Sequence, residues 1–223
     1  MLVSLFLDLL GCPGICNSMK TATIINYGIG NLDSVARAVE ECGATALITD
    51  QAADLRSASA LILPGVGAFA DGMTELCARG LDSALREEVV EKGIPLLGIC
   101  LGMQLLATTG FEGGETPGLG FVPGEVRRLV ADAPGTRIPH VGWNNVEPVA
   151  DCALFDGIPS GADFYFVHSY HFCPEDASHI AARTPYCGGF VSCVRRAHIF
   201  GVQFHPEKSQ KLGLRLLRNF MSL

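Results

Sequence analysis

The sequence predicts an α/β fold, with a largely parallel central sheet flanked by helices and antiparallel strands added in the C-terminal half. Two features of its patterning carry that expectation. In the first half, short and wholly apolar runs alternate with longer amphipathic stretches, as in βαβ units whose strands are buried on both faces. After about residue 115 the chain changes to short strand-like runs linked by turns and loops, as in antiparallel ribbons.

Each element has its own signal. Residues 21–25 read as the first strand. Residues 31–41 follow as a helix, with Leu32, Val35, Ala36 and Val39 at helical spacing and Gly43 as the stop. Residues 44–48 and 60–63 give the second and third strands, the third short and fully apolar. Residues 67–92 carry helical material around Leu76, Leu81, Leu85 and Val89. The run 94–99 is again fully apolar, bounded by Gly93 and by Cys100-Leu101-Gly102, and residues 103–107 are helix-like. Further strands are expected over 121–130, 138–146, 164–169, 179–183, 189–195 and 199–204. A last helix over 209–221 turns Leu212, Leu216, Leu217 and Phe220 to the core. Lys208, Lys211, Arg215 and Arg218 form a basic stripe on its other side, read first as a solvated face.

No repeat or low-complexity linker divides residues 19–223, which read as one domain. Residues 1–18 read as an extension outside it, upstream of a more natural start at Met19. Leu9-Leu10-Gly11-Cys12 resembles a lipid-attachment box, but no Lys or Arg precedes the apolar stretch and Asp8 interrupts it.

Composition excludes several classes of function. With 48% apolar and 17% charged residues, the 223-residue chain has material for a real core and is not a disordered protein. No apolar run reaches the ~18 residues a membrane span needs. Sixteen basic against 23 acidic residues leave a net charge of −7, which argues against binding a phosphate backbone. The nine cysteines are odd in number, form no CxxC pair, and leave Cys12 and Cys16 without a second pair at zinc-like spacing. Reduced thiols in the cytoplasm, with no metal or cofactor, are therefore expected.

Three motifs carry chemistry. Gly98-Ile99-Cys100-Leu101-Gly102 joins an apolar strand to a helix and has the form of a nucleophile elbow with cysteine in the serine position. Small residues on either side let a strained turn fit between strand and helix, whose N-terminal amides favour a thiolate. Gly201-Val202-Gln203-Phe204-His205-Pro206-Glu207 ends the last strand. His205 is the natural general base, and Glu207 can fix its tautomer. His205 and Glu207 as metal ligands would lack a convincing third. Gly28-Ile29-Gly30 is not a dinucleotide fingerprint, since Asp33 holds the third glycine position. The third motif, Leu61-Ile62-Leu63-Pro64-Gly65-Val66-Gly67-Ala68-Phe69, is not a phosphate loop, since no Gly-Lys-Ser/Thr follows. Its economical role is an oxyanion hole that pairs an amide of Val66 or Gly67 with that of Leu101.

In this order and spacing, PGVG, GICLGMQ and HPE resemble the class I (triad) glutamine amidotransferases from about residue 20 to the end. Asn26–Asn31 (NYGIGN), PHVGWN from Pro139, YFVHSY from Tyr165 and HPEKSQ are similar to one branch, the glutaminase subunits of imidazole glycerol phosphate synthases in histidine biosynthesis. The N-terminal extension is the main departure. The resemblance implies that Cys100 attacks the glutamine carboxamide while His205 shuttles the proton and Glu207 orients it. A thioester is then hydrolysed to glutamate. By matching positions it implies glutamine contacts from Gln104, Glu112, His168, Ser169 and Tyr170, with Glu112 on the α-amino group. It also implies a separate (β/α)8-barrel cyclase as partner in a heterodimer; the NYGIGN, PHVGW and HPEKSQ segments, with Asn31, Trp143 and Lys208, are the candidates for its docking face. Those three segments are expected on loops.

Three alternatives stay open at this level. They are a glutaminase serving anthranilate or aminodeoxychorismate synthesis, a catalytically idle glutamine-gated regulator, and a cysteine hydrolase or peptidase on a related sheet. A chorismate-using partner tests the first, the intact Cys100, His205 and Glu207 weigh against the second, and a substrate panel separates the third.

Overall fold

The computed structural model describes residues 20–149 and 151–223; the expected extension 1–18, with Met19, Cys12 and Cys16, lies outside the described residues. In the first half the strands are β1 (Thr21–Ile25), β2 (Thr45–Thr49), β3 (Ala60–Gly65) and β4 (Leu96–Cys100). Helices α1 (Leu32–Glu41), α2 (Ala52–Leu55), α3 (Phe69–Ala78), α4 (Leu81–Leu85) and α5 (Leu101–Leu105) connect and follow them, and a π turn over Arg86–Glu91 continues α4. The second half adds β5 (Thr109–Gly110), β6 (Thr116–Pro117), β7 (Gly124–Arg128), β8 (His140–Pro148), β9 (Ala162–His168), β10 (Tyr170–Pro174), β11 (Ile180–Thr184), β12 (Phe190–Arg196) and β13 (Ile199–Val202). Helix α6 (Gln210–Met221) closes the chain.

The strands lie in the order β2-β1-β3-β4-β13-β12-β10-β7-β5-β6, with β11 joining β12 to β8, and β9 pairing β8. From β2 to β13 neighbours run parallel. Pairings β13–β12, β12–β10 and β10–β7 are antiparallel, so the two textures of the sequence meet at β13. Helices cover both faces of the parallel part. Strand alternation sends Ile24, Ile62, Leu97 and Ile99 into one core with α1 and α6, and Ile25, Leu61, Leu63 and Leu96 into a second with α3, α4 and α5.

Strand β2 is the exception to double burial: as the sheet edge it leaves Leu47 and Ile48 exposed. The expected helix over 67–92 is broken at Gly80, whose φ of +65° ends α3 and starts α4. Strand β10 had no counterpart in the sequence expectations, because residues 162–168 and 170–174 form two strands separated by one residue, Ser169. Two of the basic residues expected on a solvated face are engaged: Arg215 donates to the Asp156 carbonyl and Arg218 to that of Glu41. No helix among the described residues is long and apolar enough to cross a membrane.

What matters for the site is the carboxyl edge of β3, β4 and β13. Gly65 pairs with Cys100 and Ile99 with Val202, so the PGVG loop, the cysteine and the run toward His205 leave three adjacent strands at one level. Helix α5 returns over these strands at very short range. A Cβ on Gly102 would stand 1.7 Å from the Leu63 carbonyl oxygen, and one on Gly98 would stand 2.7 Å from the Gly102 backbone. Both contacts are with backbone, which cannot swing aside. Gly102→Ala is therefore expected to cost about 3 kcal/mol or more of stability, measured by urea unfolding; a loss under ~0.5 kcal/mol would show that the helix can lift off the sheet.

Candidate active site

The close contact between α5 and the sheet forces the geometry of the cysteine. Cys100 adopts φ 55° and ψ −109°, a backbone conformation that a non-glycine residue holds only where its surroundings impose it. It is the N-cap of α5, so Leu101 is the first helical residue and its amide has no partner within the helix. The Cys100 side chain is 6% exposed, and its sulfur lies 3.9 Å from the Val167 carbonyl of β9.

His205 reaches the cysteine from the end of β13. Its backbone is held on both sides: the amide donates to Tyr165 O at 2.9 Å, and the carbonyl accepts from Ser209 Oγ at 2.6 Å. The ring nitrogen Nδ1 meets Glu207 Oε1 at 2.8 Å, both side chains being almost fully buried. Since the carboxylate can only accept, Nδ1 carries a proton, and Nε2 is left for chemistry. Nε2 has no hydrogen-bond partner among the described residues. Burial opposes a charge on this ring, but the Cys100 sulfur and the Glu207 carboxylate outweigh it and lift the His205 pKa to about 9.

Two other histidines show the opposite balance. Burial alone lowers His140 to about 4. Burial also dominates at His168, which falls to about 3 against the support of the Tyr170 carbonyl. Their rings are 3.0 Å apart, Nδ1 of His140 to Nε2 of His168. They belong to the PHVGWN and YFVHSY segments, but they are neutral and internal.

The remaining expected site residues divide by position. Val66 is exposed and Gly67 has φ +115°, so the PGVG loop turns outward beside Cys100. Beneath that loop, the Tyr27 hydroxyl is buried without a partner among the described residues, where a Cβ on Gly65 would come within 2.0 Å of it. Burial, with the Cys100 charge second, holds this hydroxyl far above its usual pKa. Gln104 is 5% exposed, and its Nε2 lies 3.0 Å from Tyr170 O and 3.1 Å from Gln203 Oε1. Glu112 accepts from the Phe69 amide at 2.8 Å, a capping bond for α3 that Ala68 cannot supply. Ser169 is half-buried, and its carbonyl accepts from Leu129 N at 2.8 Å. Tyr170 is half-buried beside it.

The three segments expected on loops differ from one another. NYGIGN is a loop in which Tyr27 is core, while Gly28 and Asn31, the N-cap position of α1, are exposed. HPEKSQ forms a short 3-10 turn over Pro206–Lys208, with Lys208 Nζ 5.8 Å from the Tyr165 ring centroid. PHVGW lies on strand β8, where alternation exposes Val141 and Trp143 and buries His140. Their outward neighbours on β9 are Val167 and Tyr165. Sequence reasoning passed over Gln203, His140 and Tyr27 as site residues. Each stood inside a quoted motif, but only side-chain burial and hydrogen bonding mark them out. Among the described residues, no cluster of His, Cys, Asp and Glu is arranged to hold a metal ion.

A thiol at a strained turn, an imidazole whose Nε2 has no hydrogen-bond partner among the described residues and an orienting carboxylate can together perform acyl transfer through a thioester. The family model for class I glutamine amidotransferases matches residues 23–223. The imidazole glycerol phosphate synthase subunit HisH of Moorella thermoacetica is 50% identical over 205 residues, 92% of this chain and 96% of its own. The corresponding subunit of Salinibacter ruber is 48% identical, over 90% and 94%. HisH 1 of Campylobacter jejuni strain RM1221 is 46% identical, over 90% and 98%. Among solved structures, a glutamine amidotransferase superimposes with a TM-score of 0.71 at 23% identity, covering 90% of this chain and 97% of its own. PurLQS from Thermotoga maritima gives 0.70 at 18% identity, covering 92% and 98%; at these identities the likeness is one of fold.

The His205 shift has a consequence for stability. The folded ring keeps its proton to about pH 9, whereas an unperturbed histidine releases it near 6.5. The stabilisation from its charge is thus full below about 6.5 and is lost as pH rises through about 9. Glu207→Gln is expected to destabilise by roughly 2 kcal/mol near pH 6 and by much less near pH 9.5, read from urea unfolding at both pH values. An equal loss at each would place the His205 proton elsewhere.

Proposed function

The chain belongs to the class I glutamine amidotransferase family, and from that premise we propose that it is the glutaminase subunit of an imidazole glycerol phosphate synthase. The observation that carries this is identity of 46–50% to HisH subunits over at least nine-tenths of this chain. In this reading Nε2 of His205 already holds the proton of Cys100, the thiolate attacks the carboxamide carbon of glutamine, and Nε2 gives that proton to departing ammonia. Glu207 holds the ring in the tautomer that leaves Nε2 facing the sulfur. The amides of Leu101 and of Val66 or Gly67 receive the oxyanion. Water then attacks the thioester with His205 as base, and glutamate leaves.

Substrate capture is proposed on the same edge. Glu112 would bind the α-ammonium group while one of its oxygens keeps the Phe69 amide, and Ser169 and Tyr170 would line the pocket. His168 would act from behind, through the Tyr170 carbonyl.

A partner follows from the chemistry of the product. Ammonia in neutral water is mostly ammonium, which is no nucleophile, so it has to pass by a dry route to a second active site. We assign that site to a (β/α)8-barrel cyclase that takes a phosphoribulosyl aminoimidazole-carboxamide nucleotide. The docking face would be Asn31, Trp143 and Lys208, and the outward side of β8 and β9 supports it with Val141 and Trp143 exposed. The seven described cysteines are free thiols, which supports a reducing, cytoplasmic setting.

Glutamate release is the test, measured for the chain alone and then with the barrel cyclase and its nucleotide ligand. A large rise only with both is expected, and Cys100→Ser should lower it by about a thousandfold or more. Thiol-dependent turnover that ignores this partner would keep the glutaminase and discard the histidine pathway. Glu112→Gln separates two roles of one side chain. Its amide oxygen can still cap Phe69, so stability should change by less than ~1 kcal/mol. The lost charge should raise KM for glutamine about tenfold; an unchanged KM would leave Glu112 as a helix cap only.

A further inference from the structure

We propose that Gln203 is a positioning residue for the nucleophile: its side-chain N–H donates to the Cys100 sulfur and favours the thiolate, in an orientation dictated by the Tyr170 carbonyl. The inference rests on the glutaminase reading for its catalytic meaning, but not for its geometry. Gln203 is fully buried, and its Nε2 lies 3.7 Å from Cys100 Sγ, within range for a hydrogen bond to sulfur.

The orientation of a buried carboxamide has to be argued from its neighbours, because oxygen and nitrogen are similar in shape. Here a chain of contacts decides it. Tyr170 O is a backbone carbonyl and can only accept, so the Gln104 atom 3.0 Å away is its nitrogen. The same nitrogen lies 3.1 Å from the Gln203 side chain, which must therefore turn its oxygen toward Gln104. What remains for the sulfur is the Gln203 amino group.

The carbonyl at the head of this chain is fixed as well. His168 Nδ1 lies 2.8 Å from Tyr170 O and so carries the proton. A neutral His168 then accepts at Nε2, which makes the His140 nitrogen 3.0 Å away the donor. His140 in turn accepts at Nε2 from Asn144 Nδ2 at 3.2 Å. Every link from Asn144 to Cys100 thus has one permitted direction, and none needs a charge. A donor on sulfur favours the anion over the thiol, as charge-assisted bonds do. Among the described residues, His205 and Tyr27 interact with the charge of Cys100; Tyr27 is neutral, and Gln203 supplies a contact that does not titrate.

The test follows iodoacetamide labelling of Cys100 against pH by peptide mass spectrometry, on the full chain. Gln203→Met keeps length and removes the donor, and the pH of half-maximal labelling is expected to rise by about one unit. In glutamine turnover kcat should fall about tenfold while KM is little changed, because the missing bond is to the nucleophile. A labelling midpoint unmoved in the folded variant overturns the proposal. Should Gln203→Met fail to fold, the side-chain amide protons of Gln203 decide it, compared by NMR between the native chain and Cys100→Ala. A clear shift is expected, and an indifferent resonance refutes the bond. Labelling needs no glutamine, so a chain that proved inactive on glutamine would still give this answer.

Discussion

The close seating of α5 on β3 and β4 is the constraint on which the rest depends. Because Gly98 and Gly102 carry no side chains, the helix begins within contact distance of two strand backbones. The residue between strand and helix must then turn through a left-handed conformation, and that residue is Cys100. Its sulfur is thereby held at the sheet's carboxyl edge rather than inside it. Everything else in the site arrives at that edge independently: PGVG from β3, His205 from β13, and the Val167 carbonyl from β9.

Burial acts on the three histidines near this edge with the same sign and different results. For His140 and His168 it dominates, since their partners are each other, a carbonyl and an amide, none of which stabilises a charge enough. Both remain neutral, which is what a hydrogen-bond chain of fixed direction requires. His205 is as deeply enclosed, yet it faces a carboxylate at 2.8 Å and a thiol that can ionise. One residue type is therefore held neutral twice and charged once, and the difference lies in whether an anion stands within reach.

Much of this was legible in the sequence, for a physical reason. Strands buried on both faces have to be apolar throughout, so β3 and β4 announced themselves. The glycine pair around Cys100 and the spacing of His205 to Glu207 follow from local backbone geometry, which sequence records directly. What stayed hidden depends on contacts between distant segments. The sequence motif placed Gln104 one turn after Cys100 but did not show that its amide nitrogen reaches Tyr170, 66 positions away, and Gln203, 99 positions away. Glu112 sat in a glycine-rich loop with nothing local to show that it caps α3. Strand β10 merged with β9 because a single residue, Ser169, separates them. The exposure of β2 depends on its being the sheet edge, which no window of sequence reveals.

The β8–β9 ribbon shows how such distant contacts become mechanically useful. Strand alternation gives it two unlike faces. Val141, Trp143, Tyr165 and Val167 point outward, while His140 and His168, paired in register, point inward to the hydrogen-bond chain. The same short stretch of β9 supplies the Tyr165 carbonyl that accepts from the His205 amide and the Val167 carbonyl beside the Cys100 sulfur. Cys100 and His205 are thus both referenced to one strand, whose outer face is the one proposed for docking. A displacement of that strand cannot move one group without the other feeling it, because no flexible loop intervenes between Tyr165 and Val167. On the proposed function, the stretch from Tyr165 to Val167 is the connection through which a docked partner would reach both groups.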